Sequence, residues 1–545
     1  KTVITVGGNV TAGTGWGVKS VGGTGYSTLT ANANISSTSG SGIITNTART
    51  SGSGQTITIS SGKTVKGIGN SSHAVIDMTT ASNGRTTLNI NGGTVQSNSG
   101  SFSDLALKGT TGNVTINNGG TIKGRVDFSA LTGTNSVTFN NTTNTWYTSG
   151  TSYLSGGADT LTTSSSGEIY ATGATIKFLA GNDTFTNAGV TIGVGTNTFD
   201  FGADTDTLSN TGTIKVSGTT TFSNLENFNN SGTLDMHSLN GGTTDKIVIG
   251  GGTFTGSGSS LLKIDAYLGG TAQTSCATPA VADCMVISSN VAGTTGLNVT
   301  DTNAGPGTLN LGGIMVVDNS AAGTAPDENA FQLTGANVTG SGTPDAYIQK
   351  GFFDYHLVLD PSDQDWSLVG IPGQGAMELV KFEALLQNVW YETADGWNER
   401  TSELRHSHDA EAGEPQPARM DTSVGWSLWG KGFYDNTKRT TNESITVLNN
   451  TFLFDTRYRQ QIDGFQIGLD YTNRGANDSM LSFGAFGGYV NSETRFQASG
   501  DHARIKGGNI AGYLSYLSGP LVADVLVKDD LDHITANLVS VPYKL

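Results

Sequence analysis

A glycine-led motif that returns about every twenty residues is the feature that most limits how this chain can fold. Its clearest copies are TNAGVTIGV from Thr186, SNTGTIKVSG over residues 209–218 and NNSGTLDMH from Asn229. Gly189, Gly212 and Gly232 hold the same place in the three copies, so the intervals are 23 and 20 residues. A repeat of this length is typical of a solenoid, in which each coil packs only on its neighbours.

The residues within each copy indicate that the solenoid is built from β-strands. Apolar side chains alternate with polar ones over a few residues, as Ile214 and Val216 do, whereas a helix needs apolar residues three and four apart. Gly accounts for 77 of 545 residues, and Gly and Asn suit the corners between short strands because they accept positive φ. We therefore predict an all-β fold, with a right-handed parallel β-helix over residues 1–270.

Composition and charge exclude two classes of protein. The net charge is −16, and the sequence has no cluster of Lys and Arg with interleaved aromatic residues, so we expect no nucleic-acid partner. No run of 18 or more apolar residues occurs, which excludes an apolar membrane-spanning helix. The chain begins without Met, a basic segment or an apolar segment, so we expect that a signal peptide is absent or has been removed.

Three aspartates that recur once per coil are the weak candidates for a calcium site. Asp159, Asp183 and Asp206 lie in GGADTLT, AGNDTFT and FGADTDTL, which resemble halves of the nonapeptide that binds calcium in β-rolls. A column of single carboxylates offers fewer oxygen atoms than the six to eight that calcium prefers. We therefore expect corner aspartates that accept backbone N–H groups, with no metal ion and no cofactor.

Residues 271–370 differ from the preceding repeats in strand length and in the distribution of aromatic residues. Candidate strands become longer there, and aromatic residues gather near the end, so we predict a block that caps the solenoid and covers its last coil. Cys276 and Cys284, the only cysteines, lie in SCATPAVADC within this block. Their spacing in an exported chain predicts a disulfide that closes a short loop, and two buried thiols are the alternative.

Residues 371–421 contain the best helix candidate of the chain and then a linker. Apolar residues from Met377 to Trp390 recur at intervals of three and four, and the helix is expected to reach Arg405, with Gly396 as its candidate break. Thirty helical residues would span about 45 Å, yet several charged side chains exclude contact with lipid. We therefore predict a helix inside a polar lumen, followed by the Pro- and acid-rich linker HDAEAGEPQPARMD.

Residues 422–545 alternate apolar residues with small or polar ones in segments of about ten. Phe465, Ile467, Leu469 and Tyr471 form one such row. This alternation, with aromatic residues near the strand ends, is the signature of an outer-membrane β-barrel, and a soluble β-sandwich is the alternative. Closed barrels of this type have at least eight strands. Because five or six candidate strands occur here, we expect part of a barrel.

The order of these parts resembles an autotransporter, a type V secreted protein of Gram-negative bacteria. NSGTLDM, LLKIDAYLGG, DCMVISSNVAGTTGLNV and YHLVLDPSDQDWSLVG are similar to the end of a β-helical passenger with its autochaperone cap. WNERTSELR and GWSLWGKGFYD are similar to the linker helix and the first barrel strand. The resemblance implies an outer-membrane location, a passenger displayed outside the cell and insertion by the barrel-assembly machinery. The linker helix lacks the Asn-Asn pair at which some members cleave themselves.

The predicted function is non-enzymatic: adhesion, self-association, or a surface layer or filament. Expected partners are outer-membrane lipid, further copies of the chain, and a host or neighbouring cell surface. A Ser–His–Asp site is not indicated, because only His73 and His237 lie in the solenoid. The alternative is a glycan-cleaving enzyme with paired carboxylates, for which Asp200, Asp204 and Asp206 are candidates. An adhesin should present a confined aromatic or apolar patch, whereas a coat protein should show repeated contacts along the solenoid.

Overall fold

A computed structural model gives the fold of residues 1–22, 25–47, 54–80, 84–288, 290–319, 326–411, 424–475 and 479–541. The chain forms two compact units. The first comprises Lys1–Lys350 and Asp354–Ile371, and the second comprises Gly351–Phe353 and Pro372–Leu545. Most of the predicted linker at residues 408–421 lies outside the described residues.

Short strands dominate the chain up to the first helix, with one 3-10 turn at Glu328–Ala330. The strands are β1 (Thr2–Val6), β2 (Val10–Ala12), β3 (Val18–Gly22), β4 (Ser27–Ala31), β5 (Ile35–Ser37), β6 (Ile43–Thr47), β7 (Gly54–Ile59), β8 (Thr64–Gly67), β9 (Ile76–Thr80), β10 (Arg85–Ile90), β11 (Thr94–Ser97), β12 (Leu105–Gly109), β13 (Asn113–Asn118), β14 (Thr121–Lys123), β15 (Arg125–Asp127), β16 (Val137–Tyr153), β17 (Thr160–Lys177), β18 (Thr184–Asn187), β19 (Val190–Asp200), β20 (Thr207–Asn210), β21 (Thr213–Asn230), β22 (Thr233–Asp235), β23 (Lys246–Gly256), β24 (Leu261–Ala266), β25 (Cys284–Ile287), β26 (Asn290–Gly293), β27 (Thr295–Asp301), β28 (Asn310–Asp318), β29 (Phe331–Leu333), β30 (Val338–Thr339), β31 (Tyr347–Lys350), β32 (Phe353–Asp360) and β33 (Asp365–Pro372).

These strands form three parallel ladders, so each coil contributes three strands. The first ladder begins β1, β4, β7, β10, β13; the second begins β2, β5, β8, β11, β14; the third begins β3, β6, β9, β12, β15. All three continue into β16 and the longer strands after it. The register advances by 20 residues from Thr207 to Asn227 and by 38 from Lys246 to Cys284. The predicted parallel β-helix is therefore confirmed.

Stacked apolar side chains fill the interior of the solenoid. Ile214 and Val216, predicted to point inward, are fully buried. Phe222 lies between two other rings, with centroids 5.2 Å from Phe199 and 5.4 Å from Phe228. Because parallel in-register strands place equivalent residues above one another, each inward position becomes a continuous apolar column.

Parallel pairing continues across the predicted domain boundary at residue 270. β24 pairs with β27, and β27 pairs with β29, in parallel registers that reach Leu333. Antiparallel pairing then appears, between β28 and β33 and between β30 and β31. The repeat cannot be recognised in the sequence after residue 270 because the later coils are longer. The parallel ladder itself continues.

The second unit consists of two helices and an antiparallel sheet. The elements are α1 (Gln374–Leu379), α2 (Phe382–Glu411), β34 (Gly425–Arg439), β35 (Glu443–Val447), β36 (Asn450–Phe454), β37 (Tyr458–Arg474), β38 (Ser479–Phe496), β39 (His502–Ser518) and β40 (Leu521–Asn537). The sheet has the order β34-β37-β38-β39-β40, and β35 and β36 form a separate hairpin. Among the residues with described positions, no helix is both long and apolar enough to span a membrane.

The expected helix break at Gly396 is wrong, because the helix is interrupted at Val380 and Lys381 instead. Gly396 lies inside α2, against the sheet. A Cβ atom at this position would lie 2.0 Å from Oε1 of Gln466. The glycine is therefore explained by close approach of the helix to β37, and the helix keeps its hydrogen bonds through it.

Candidate functional site

The three aspartates proposed as weak calcium candidates form a hydrogen-bonded column at one corner of the solenoid. Oδ1 of Asp183 accepts the backbone N–H of Asp159 at 2.6 Å, and Oδ1 of Asp206 accepts that of Asp183 at 2.7 Å. Asp159 accepts the N–H groups of Val137 and Ser155 at 2.6 and 2.7 Å. Each carboxylate thus satisfies a backbone donor of the preceding coil, as expected for corner aspartates.

Burial raises the pKa of all three carboxyl groups, to about 6 for Asp159 and Asp206 and to about 8 for Asp183. At Asp183, the neighbouring carboxylates raise the pKa further, and the hydrogen bond from Asp159 opposes the rise. Oδ2 of Asp183 and Oδ2 of Asp206 are buried without a hydrogen-bond partner among the described residues. In the same part of the chain, no group of three or more His, Cys, Asp or Glu side chains is arranged to hold a metal ion.

A second group of buried aspartates was missed in the sequence. Asp283 accepts the backbone N–H of Asp245 at 2.9 Å through Oδ1 and that of Asp265 at 2.8 Å through Oδ2. Burial raises the pKa of Asp283 to about 8. These residues are 38 and 18 positions apart, so no fixed interval pointed to them.

The candidate carboxylates for glycan cleavage have separate partners. Asp200 forms an ion pair with Lys177, with 3.2 Å between Oδ2 and Nζ, and accepts a hydrogen bond from Asn224. Asp204 accepts the backbone N–H of Gly181, and Asp206 belongs to the column described above. Each carboxylate therefore has a local structural contact of its own.

The histidines occupy unrelated environments. Nδ1 of His237 lies 2.7 Å from Oδ1 of Asp265, which is buried. Burial lowers the pKa of His356 to about 4, and its ring packs against that of Tyr347. His73 is partly exposed, and its backbone N–H donates to Asn70. The structure thus places the three histidines in different local environments.

Cys276 and Cys284 lie close together and fully buried. Their Cα atoms are 5.7 Å apart, and the structure joins their sulfur atoms. This separation is within the normal range for a disulfide. Met315 packs against the pair, so the bridge would fasten the loop between them to the last coils.

A column of outward residues on the second ladder differs from the rest of the solenoid surface. Lys123, Tyr147, Tyr170, Ile192 and Lys215 follow one another in the parallel registers, one residue per coil. We call this set the lysine–tyrosine column. All five side chains are partly exposed. Sequence reasoning missed the column because its members are 22 to 24 residues apart and form no local motif.

The two tyrosine rings of this column contact each other at a tilt, and the ring of Phe102 stacks on one of them. The ring of Phe102 lies 4.9 Å from that of Tyr147 at an interplanar angle of 23°, and Tyr147 lies 5.6 Å from Tyr170. Ile192 follows in the next coil. We call Phe102, Tyr147, Tyr170 and Ile192 the aromatic strip. Tyr147, Tyr170 and Ile192 lie on neighbouring coils of the second ladder, and Phe102 lies in the segment between β11 and β12.

The outward face of the first ladder has a different character: on its described strands from β4 to β23 the one charged outward residue is Arg85, at the start of β10, and the two outward positions that follow it are uncharged in every coil. Each coil presents two outward side chains, and almost all are Thr or Asn. They are Thr28 and Thr30, Thr56 and Thr58, Thr87 and Asn89, Thr115 and Asn117, Thr138 and Asn140, Thr160 and Thr162, Thr184 and Thr186, Thr207 and Ser209, Asn227 and Asn229, and Thr253 and Thr255. We call these paired positions the uncharged face.

In the second unit, helix α2 packs on one face of the sheet through a small apolar cluster. Leu385 and Val389 of the helix are buried against Ile462, Val490 and residues near them. Sheet side chains also reach the helix backbone: Nε2 of Gln460 donates to the carbonyl of Leu385 at 3.0 Å. The helix is therefore fixed by both apolar packing and hydrogen bonds.

A buried ion pair holds the C-terminal half of α2 on the same face. Nε and Nη2 of Arg400 donate to the two carboxylate oxygens of Asp470, at 2.7 and 3.1 Å. Asp470 is fully buried and also accepts the hydroxyl of Tyr513 at 2.7 Å. This two-bond geometry is the strongest form of an Arg–carboxylate contact.

The opposite face of the sheet is apolar and exposed. Leu428, Ile467 and Val527 are 75%, 55% and 72% exposed, although they lie within long strands. Beyond the apolar cluster around Ile462, many of the side chains that alternate with them are polar and buried on the helix side, as Gln460, Gln466 and Asp470 are. An apolar outer band with a polar interior is the arrangement of outer-membrane barrel strands.

Comparison with known families identifies this sheet. The family model described as the autotransporter β-domain matches residues 428–529, which run from β34 into β40. The chain carries an autotransporter β-domain. It is therefore an outer-membrane protein whose β-helix is the passenger, translocated by its own C-terminal domain and exposed at the cell surface. No curated protein matches the chain.

Proposed function

We propose that this autotransporter is a non-enzymatic adhesin whose passenger attaches the cell to another surface through the aromatic strip. The observation that carries the proposal is the strip itself: partly exposed rings that contact one another over neighbouring coils of a solenoid whose other outward positions are mostly small and polar. Confined apolar patches of this kind mark interaction sites on soluble surfaces. A coat protein would need contacts repeated along its length.

The fold supports this role because it is rigid and long. Each coil adds about 4.8 Å to the solenoid, so the passenger presents its side chains in fixed rows. The candidate carboxylates have separate structural partners, which favours a scaffold over a hydrolase. We infer that outer-membrane lipid surrounds the apolar band of the β-domain and that the barrel-assembly machinery inserts it.

We also propose that residues 271–370 cap the solenoid and act as the autochaperone segment. Trp366 of β33 is buried and packs edge-on against Phe331, which ends the stack of passenger rings. The antiparallel pairing of β28 with β33 provides hydrogen-bond partners for strand edges that would otherwise be open. Deletion of residues 338–370 is expected to leave a passenger that reaches the surface but remains sensitive to protease. A deleted form as resistant as the full chain would contradict this role.

Attachment of cells that display the full chain tests the adhesin. We expect Tyr147→Thr with Tyr170→Thr to abolish attachment, because Thr is common at outward positions of this ladder but offers no ring. Tyr153→Thr is the matched control, since Tyr153 is an outward tyrosine of the third ladder. Retained attachment in the double variant, with normal surface display, would refute the proposal.

Self-association is the second candidate, favoured by the uncharged face. On a chain with a net charge of −16, this is the surface where two copies meet with least repulsion. Thr and Asn both donate and accept hydrogen bonds, so the face is complementary to itself. Self-association can be distinguished from adhesion by mixing labelled cells that display the chain with unlabelled cells that do not. Self-association joins only cells that display the chain.

A further inference from the structure

We infer that the ligand of the passenger is a linear acidic polysaccharide, bound lengthwise along the lysine–tyrosine column. The inference rests on the proposed adhesive function and names the chemistry of its partner. It concerns a polymer of carboxylate-bearing sugars on the surface to which the cell attaches. Three properties carry the argument: the cations of the column, its length and the rings of the aromatic strip.

The cations of the column are available to a ligand. Among the described residues, no salt bridge involves Lys123 or Lys215, whereas Lys177 on the third ladder is paired with Asp200. Lys66 and Lys263 extend the column two coils in either direction, through Gln96 and Asp235. Cations that are not neutralised by a carboxylate within the fold favour an anionic ligand.

The two carboxylates on this face leave room for such a ligand. Asp235 is 4% exposed and accepts the backbone N–H groups of His237 and Ser238, so its carboxylate is directed to donors within the fold and not to solvent. Glu168 is partly exposed beside Tyr170, and its Oε1 accepts the hydroxyl of Thr145 at 3.1 Å. Of these two carboxylates, Glu168 is therefore the one that an anion on this face would meet directly.

The length of the column favours a polymer over a single sugar. Lys123 and Lys215 are four coils apart, and the outer lysines add two coils at each end. At about 4.8 Å per coil, Lys66 and Lys263 are separated by roughly 38 Å. One extended chain can reach all four ammonium groups, whereas a monosaccharide can reach one.

The rings favour a polysaccharide over a single-stranded nucleic acid. Nucleic-acid sites offer free aromatic faces on which bases stack, but the faces of Phe102 and Tyr147 already contact each other. What remains is a row of apolar ring atoms and the hydroxyl groups of two tyrosines. These suit sugar rings, which present C–H groups and hydroxyls in alternation.

Binding of fluorescent alginate, a linear polymer of carboxylate-bearing sugars, tests the inference on cells that display the full chain. Lys123→Gln with Lys215→Gln is expected to weaken binding about tenfold, the value for two exposed ion pairs. Lys19→Gln with Lys108→Gln is the matched control, because it removes the same charge from the third ladder. Resistance of the displayed passenger to protease verifies that each variant is folded.

Two further measurements sharpen the test. Glu168→Gln should strengthen alginate binding about two- to fivefold, which a misfolded variant would not do. Raising the salt concentration to about 1 M should weaken binding, since exposed charges are then screened within about 3 Å. Neutral dextran should not bind, and single-stranded DNA should bind more weakly than alginate.

The outcomes separate this inference from the function on which it rests. If the lysine pair can be removed without loss of alginate binding, or if DNA binds more tightly than alginate, the acidic polysaccharide is the wrong partner. Loss of cell attachment in the tyrosine variant would still support the adhesin in that case. If the tyrosine variant attaches normally, the adhesin itself is refuted.

Discussion

The passenger and the β-domain use the same alternation of side chains in opposite senses. In the passenger, inward positions such as Phe222 are apolar and buried, and outward positions are polar. In the β-domain, Gln466 and Asp470 point to the helix and are buried, whereas Ile467 between them is 55% exposed. A period of two thus specifies a strand, and the surrounding solvent decides which face is apolar.

The largest effect on stability is expected when an aromatic ring is removed from the interior of the passenger. We expect Phe222→Ala to lower the free energy of unfolding by about 3–5 kcal/mol, because the cavity would lie between the rings of Phe199 and Phe228. Thr221→Ala is the matched control, since Thr221 precedes it on the same strand and points outward. Urea unfolding of the purified passenger measures both, and similar midpoints for the two variants would contradict an apolar interior.

A charge introduced at an outward position of each domain tests whether the two outward faces meet different solvents. Ile467→Arg should destabilise the inserted β-domain by about 2–4 kcal/mol, because lipid meets this face near the middle of a strand. Thr58→Arg, on the uncharged face of the passenger, should cost less than about 0.5 kcal/mol. Urea titration of the chain folded in lipid vesicles reports the first value, and the purified passenger reports the second. Equal costs would mean that the sheet does not face lipid.

The fold could be predicted from the sequence wherever the repeat was regular. Gly189, Gly212 and Gly232 gave the coil length because their coils differ by only a few residues. Past residue 270 the coils lengthen, and parallel pairing that continues to Leu333 was not anticipated. The periodicity of apolar residues also predicted the helix but not the position of its break. Gly396 lies in close contact with Gln466 and does not interrupt the helix.

The candidate site was predictable only in part, for the same physical reason. The aspartates of the corner column share one interval, so their stacking followed from the repeat. The lysine–tyrosine column also recurs once per coil, but its residue type changes from Lys to Tyr to Ile. A pattern search by residue type cannot find such a surface, since only the register brings its members together.

A smaller effect is expected from the cysteines. If Cys276 and Cys284 are disulfide-bonded in solution, reduction should lower passenger stability by at most about 2.5 kcal/mol, the chain-entropy value for a loop this short. Mass measurement after alkylation, with and without reductant, tests the bond directly. Equal alkylation in both samples would establish two buried thiols, and the reductant should then leave the unfolding midpoint unchanged.

The buried carboxyl groups should make the passenger more stable in acid. The pKa of Asp183 is raised from 3.8 to about 8, so the folded state binds its proton more tightly than the unfolded state does. The resulting contribution to the free energy of unfolding is fully present below about pH 4 and is lost as the pH rises through about 8. The free energy of unfolding changes by at most about 1.4 kcal/mol per pH unit.

Asp183→Asn separates this effect from other titrations, because the amide keeps an oxygen that can accept the N–H of Asp159 and cannot ionise. The variant should lose part of the pH dependence between about pH 5 and pH 8. Asp127→Asn, at a partly exposed position of the third ladder, is the control and should retain the dependence. A passenger whose unfolding midpoint rises with pH over this range would reverse the predicted sign.

The smallest expected effect is that of calcium on the passenger. The corner column uses one oxygen of each aspartate to accept a backbone N–H, and the buried second oxygens of Asp183 and Asp206 fall short of the six to eight ligands that calcium prefers. Thermal unfolding in EDTA and in about 10 mM calcium should therefore agree to within about 0.3 kcal/mol. A site with a dissociation constant of about 1 mM would raise stability by about 1.4 kcal/mol under the same conditions. Magnesium serves as the control for ionic strength. A rise of that size with calcium alone, absent in Asp183→Asn, would make the corner column a metal site and the passenger a calcium-dependent solenoid.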